Sequence, residues 1–193
     1  VYYFKIRSLT PKGSDIKIPW EISRCHHLLW MAEAYCLTGD ESYVEQVISQ
    51  IQNWIKYNPL MYSVNWTCAM EVSIRAVNWM YSLALIGDSE AFTDRFAKEV
   101  YRSLYQHLFF VNRNLEKCIP YSNNHYFSDI VGMLFLGQLF STTRDGRRTL
   151  KYAIKEYCKE VKLQVFPSGV NYERSVSYHR LMTELVLYPY YML

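Results

Sequence analysis

Apolar residues recur at helical spacing along most of this chain. Pro19 suits a helix first turn, and Trp20, Ile22, Leu28, Leu29, Met31 and Ala34 continue one stripe up to Gly39, a C-terminal stop. Asp40 is placed to cap a second helix, whose Tyr43, Val44, Val47, Ile48, Ile51, Trp54 and Ile55 form one apolar face. Asn58-Pro59 ends it. Thr67 is the expected cap of a third helix, from about Cys68 to Leu85, closed by Gly87. Ser89 is expected to open a fourth, reaching roughly Asn112. Further helices are predicted from near Asn124 to Phe140, from near Asp145 to Val165, and from near Ser175 onward. Pro167-Ser168-Gly169 marks the turn before the last of these. Strand-like alternation is confined to Val1–Ile6.

The expected class is therefore all-α. A coarse repeat refines it: Leu37-Thr38-Gly39-Asp40-Glu41 is echoed 48 residues later by Leu85-Ile86-Gly87-Asp88-Ser89. Each copy sits between two predicted helices, so the repeating unit is a helical hairpin. The period exceeds the roughly 34 residues of a tetratricopeptide unit and points to an α/α toroid or another array of longer hairpins.

Length and composition narrow the partners. With 193 residues, half of them apolar, the chain can build one sizeable core. Net charge is +3, too mild for a nucleic-acid-binding protein, and no block of consecutive cations appears. Aromatic content is 17%, with 18 Tyr and 5 Trp, residues that suit half-wet surfaces such as sugar rings or protein interfaces. The five cysteines lack both C-x-x-C and an even count, so neither a disulfide framework nor a zinc site is expected. Cys25-His26-His27 reads as ordinary packing, because adjacent helical residues point in different directions. No metal or other cofactor is expected in this domain. The chain starts without Met and stops inside the apolar run Leu185–Leu193, so both ends look cut from something longer.

Three polar clusters interrupt the apolar pattern. The first is Tyr121-Ser122-Asn123-Asn124-His125-Tyr126 at the mouth of the fifth predicted helix. An Asn there caps the helix; a second Asn amide could donate to a carboxylate, where backbone N–H groups already favour anions. The second is Asn171-Tyr172-Glu173-Arg174-Ser175-Val176-Ser177-Tyr178-His179-Arg180, which opens the seventh. The third is Asn65-Trp66-Thr67 followed by Glu71, Arg75 and Asn78. Positions 67, 71, 75 and 78 share one helical face, either as a solvated Glu71–Arg75 pair or, beside Trp66 and Trp79, as one wall of a sugar groove. Glu21 and Arg24 form a similar pair.

Five stretches together resemble the heparinase II/III family of polysaccharide lyases. They are Ile18-Pro19-Trp20-Glu21-Ile22-Ser23-Arg24, Val64-Asn65-Trp66-Thr67-Cys68-Ala69-Met70-Glu71, Ile74-Arg75-Ala76-Val77-Asn78-Trp79, Asn123-Asn124-His125-Tyr126 and Ser175-Val176-Ser177-Tyr178-His179-Arg180, in family order from about residue 15 to the end. The resemblance implies an incomplete α/α toroid followed by a β-sandwich domain that this chain lacks. It implies β-elimination at a uronic acid, in a polymer such as heparan sulfate, alginate or hyaluronate. It implies Asn124, His125 and Tyr178 as the catalytic residues, with Trp66, Glu71, Arg75, Asn123, Tyr172, His179 and Arg180 contacting substrate. The site would be completed by the later domain, so this chain alone would hold half of it. Export to the periplasm or beyond suits a polymer-degrading bacterial enzyme, while unpaired cysteines suit a reducing space. The rival readings are a non-catalytic carbohydrate binder and a helical scaffold. A binder should shift Trp fluorescence with glycan and make no product.

Overall fold

The computed structural model describes residues 1–6, 13–118 and 122–192, and among them the regular structure is helical. It divides into two compact units, Val1–His107 and Leu108–Leu193.

In the first unit, α1 (Tyr3–Ile6) is a single helical turn where the alternation of Val1–Ile6 had suggested a strand. No partner strand exists among the described residues, and Tyr3 N–H donates to the Met61 carbonyl at 2.8 Å. The helix expected from Pro19 to Gly39 is two helices, α2 (Lys17–Ser23) and α3 (His26–Thr38). The break is at Cys25, which takes the left-handed conformation at φ 60°, rare for a residue with a Cβ. Two contacts outweigh that cost. The Arg24 guanidinium grips Glu71 through two bonds of 2.7 and 2.8 Å, and Asn78 Nδ2 donates to the freed Arg24 carbonyl at 2.8 Å.

Gly39 ends α3 with φ 70°, and Asp40 caps α4 (Glu41–Tyr57), its carboxylate accepting from Ser42 N–H. His27 on α3 meets Gln50 on α4, so the two helices run antiparallel. A 3-10 turn at Val64–Trp66 then leads into α5 (Ala69–Ile86). The expected cap, Thr67, stays in that turn: its hydroxyl donates to the Val64 carbonyl and accepts from Trp20 Nε1. The fourth helix, α6 (Asp94–Val111), starts later than Ser89, after the Thr93 hydroxyl accepts from Phe96 N–H. Ser89 instead donates to Glu41 at 2.5 Å, a link across the 48-residue repeat. The Cys36 thiol approaches the Leu85 carbonyl at 3.6 Å, so α3 and α5 run parallel with like ends together.

In the second unit, α7 (Asn124–Leu139) and α8 (Arg144–Gln164) form an antiparallel hairpin. Two glycines let the backbones touch: a Cβ on Gly137 would lie 2.8 Å from Leu150 N, and one on Gly146 would lie 1.9 Å from the Phe140 carbonyl oxygen. Thr143 caps α8 through Gly146 N–H. After α8 the chain reverses through Gly169, at φ 85°, and Asn171 returns to form an isolated bridge with Val165. α9 (Val176–Met192) follows and packs on α7.

Candidate active site

In the second unit, Asn123 caps α7, its Oδ1 accepting from Tyr126 N–H at 2.9 Å. That frees Asn124, at the first helical position, for other work. Its side chain is 7% exposed, and Nδ2 donates to Glu173 Oε1 at 2.7 Å. The carboxylate can only accept, so the bond fixes which end of the Asn124 amide carries the N–H groups. Among the described residues, Oδ1 is buried without a partner and the second N–H is left uncommitted.

The segment bearing Glu173 is held firmly. Asn171 is 1% exposed; its Nδ2 donates to the Gln164 carbonyl and its Oδ1 accepts from Glu173 N–H. Tyr172 donates its hydroxyl to the Ser122 carbonyl at 2.7 Å, and burial raises its pKa above the usual phenol value. Arg174 takes φ 53°, and the chain turns there into α9. Gln164 joins the two segments. Its Nε2 lies within bonding distance of Ser122 Oγ, the Asn123 carbonyl and Glu160 Oε2, at 3.2, 3.1 and 2.9 Å, while its carbonyl accepts from Tyr172 N–H and Asn171. Ser122 also donates to Glu160.

His125 lies one residue beyond Asn124, 43% exposed, with Nδ1 3.4 Å from Glu116 Oε2. Glu116 is set by Asp129, whose Oδ2 accepts its backbone N–H at 2.7 Å. Asp129 is fully enclosed, and burial pushes its pKa well above the carboxylate range.

The sequence-predicted residues thus separate. Asn123, Asn124 and Tyr172 are brought together through Ser122, Glu173 and Gln164, with His125 alongside. Tyr178 stands in the first turn of α9, 43% exposed, five residues beyond Glu173, and its hydroxyl has no hydrogen-bond partner among the described residues. His179 and Arg180 follow it and are exposed, Arg180 lying 3.8 Å from Glu184. Tyr121, which begins the first cluster, falls outside the described residues.

Trp66, Glu71 and Arg75, expected along a sugar groove, are enclosed in the first unit, at 0%, 2% and 0% exposure. Glu71 pairs with Arg24, which also meets Glu21 at 2.9 Å, and the expected Glu71–Arg75 pair does not form. Trp66 Nε1 donates to the Asn58 carbonyl. Arg75 points inward, its guanidinium carbon 4.0 Å above Trp54, and its Nε donates to His107 Nε2 at 3.0 Å. His107 Nδ1 then carries the ring proton and donates to the Ser103 carbonyl at 2.7 Å. Burial lowers the Arg75 pKa to about 9 and holds the His107 pKa well below its usual value, so His107 is neutral. The polar face of α5 is spent on packing, because the N-terminal segment and α6 supply donors and acceptors that the sequence pattern does not announce.

The sequence profile of the Heparinase II/III N-terminus matches residues 7–192. The chain belongs to that family. Heparin-sulfate lyases from Pedobacter heparinus and Bacteroides stercoris are 28% and 24% identical to it, over 91% and 86% of this chain. The chain spans about a quarter of those relatives, 27% of each. A crystal structure of the heparan sulfate lyase from Pedobacter heparinus superposes with a TM-score of 0.74 and 27% identity, covering 94% of this chain and 28% of that one. A Heparinase III structure at 23% identity and TM-score 0.70 shares the fold. The helical class read from the sequence is the class of this structure, and the neighbours share its fold over the part they match. Glu173, Glu116 and Gln164 were not singled out from the sequence. Glu173 lies inside the second polar cluster, which was its one signal; Gln164 looks like any helix end.

Proposed function

We propose that this chain is the helical part of a lyase that cleaves a uronic-acid-containing polysaccharide by β-elimination. The observation that carries the reading is Asn124: a buried amide at a helix mouth, oriented by Glu173, with one N–H uncommitted among the described residues. Among uronic-acid polymers, heparan sulfate is favoured over alginate and hyaluronate, because the relatives are heparin-sulfate lyases.

The chemistry follows from the substrate. The C5 proton of a uronate is a weak acid while its carboxylate carries full charge. A donor aimed at that carboxylate stabilises the enolate-like transition state, as an oxyanion hole does. Asn124 is that donor, beside the N–H groups of the α7 N-terminus. A base then removes the C5 proton, the C4–C5 double bond forms, and the O4 leaving group takes up a proton. Tyr178, its hydroxyl without a partner among the described residues, serves as acid or base, and His125, steadied by Glu116, as base or carboxylate partner. On this reading Tyr172, beside the Asn123 loop, and His179 and Arg180, on α9, contact the polymer, and a following domain supplies the remaining groups.

The test is the full-length enzyme against heparan sulfate, hyaluronate and alginate, followed by the ultraviolet absorbance of the unsaturated product. Tyr178→Phe should abolish turnover while polymer binding stays near normal, because one hydroxyl removes proton transfer and little contact area. Asn124→Ala should lower kcat on the order of 10²–10³-fold, the usual loss for an oxyanion donor. Near-normal turnover in Tyr178→Phe removes Tyr178 from the mechanism.

A further inference from the structure

The chain's positive balance comes from one helix. α8 holds seven of the 21 basic residues and three of the 18 acidic ones, leaving 14 basic and 15 acidic elsewhere. Arg144, Arg148, Lys151, Lys155, Lys159 and Lys162 are spaced by three or four, so they share one face, and all six are exposed. The opposite face, from Gly146 through Ala153 and Tyr157 to Gln164, is buried. Lys159 lies 3.9 Å from Glu156, and exposed Asp145 flanks the track beside Arg144; the other five cations form no ion pair among the described residues. A merely solvated helix face mixes signs. This one presents about 27 Å of a single sign, from the helical rise over 18 residues.

We propose that the outer face of α8 is an exosite for a sulfated uronic-acid polysaccharide, separate from the candidate active site. This rests on the polysaccharide reading above. Charge complementarity sets the occupant: a linear polyanion can engage cations repeated along a straight track. Base stacking calls for several aromatic platforms, and Tyr152 is the one aromatic ring exposed on α8. The C-terminal end of the track lies within a turn of Gln164, which holds the Asn123 loop from the other side of the helix. A chain held on α8 would therefore raise the local concentration of polymer near the site without lining it.

The experiment uses the full-length protein with Lys151, Lys155 and Lys159 changed together to Gln. The variant should elute from immobilised heparin at lower salt. Its affinity for long heparan sulfate chains should fall on the order of 10-fold or more, with a shallower salt dependence, by analogy with other polyanion contacts. Turnover of a short oligosaccharide should be unchanged, and binding of an unsulfated chain should change less. Replacing Arg95, Lys98 and Arg102 on α6, also exposed, is the control for net charge. Unchanged elution, an equal effect in the control, or duplex DNA held as tightly as heparan sulfate would overturn the proposal. The elution readout needs no turnover. Failure of the wild type to cleave any uronate polymer would therefore sink the lyase reading alone, and normal elution of the variant would sink the exosite alone.

Discussion

Replacing Gly146 by Ala tests how closely α7 and α8 must approach. The new Cβ would meet the Phe140 carbonyl oxygen at 1.9 Å and its carbon at 2.3 Å. Real Cβ contacts essentially never fall below 3.0 Å, so the backbones must part by about 1.1 Å. Neither partner is a flexible side chain, and Gly146 is further pinned by its N–H bond to the Thr143 cap. Overpacking of a well-packed core costs typically 1–3 kcal/mol and occasionally more; a backbone clash belongs at the upper end. Ala recovers up to about 1 kcal/mol of helix propensity over Gly. The net loss is then about 2–3 kcal/mol. At about 2–4 °C per kcal/mol for a chain of this size, the midpoint should fall by roughly 4–12 °C in a circular-dichroism melt. Gly137→Ala, meeting Leu150 N at 2.8 Å, should cost less. Gly39→Ala meets nothing within 4 Å and should lose only about 1 kcal/mol, from its positive φ. A Gly146→Ala midpoint equal to that of the wild type, or above it, would refute the close approach.

Three further outcomes follow from buried polar groups. Glu71→Ala strands the Arg24 guanidinium, leaving it only the exposed Glu21, and should cost about 2–4 kcal/mol by urea denaturation. Asp129 has a raised pKa in the fold, so its contribution is fully present below about pH 3.9, where the unfolded group is also protonated, and is lost as pH climbs through the folded value. Asp129→Asn should therefore melt higher than wild type at neutral pH, with the gap closing below about pH 4; a gap independent of pH would refute the assignment. Gln164→Leu removes the Nε2 contacts but keeps the backbone carbonyl that holds the Asn171 turn, so it should loosen the Asn123 loop alone, lowering kcat of the full-length enzyme more than it raises KM, and equal changes in both would deny Gln164 a positioning role.

Much of the fold was legible because local chemistry decides it. Asp40 and Asn123 cap as their side chains allow, and Gly39 stops α3 in the left-handed conformation. Where the reading failed, a distant partner intervened. Cys25 breaks a continuous apolar stripe because Glu71 and Asn78, about 50 residues on, hold Arg24. Thr67 and Ser89 have capping chemistry but spend it elsewhere, leaving Cys68 and Thr93 at the helix starts. The α5 polar face looked like a groove because period reports a shared face but not what covers it. At the candidate site, Asn124 stood out by residue type. Glu173 became visible only when the turn at Asn171 brought it to the amide.

The tryptophans have an unequal distribution with a spectroscopic consequence. Trp20, Trp30, Trp54, Trp66 and Trp79 all belong to the first unit, and the last three surround His107 and Arg75. The second unit, with Asn124 and Tyr178, carries tyrosine as its only near-ultraviolet fluorophore of comparable size. Indole emission from this chain is thus a private reporter of the first unit, from its core and, through Trp30, from its surface. The same partition makes the chain its own two-colour thermometer: indole emission follows one unit, and the phenol signal that remains after its subtraction follows both.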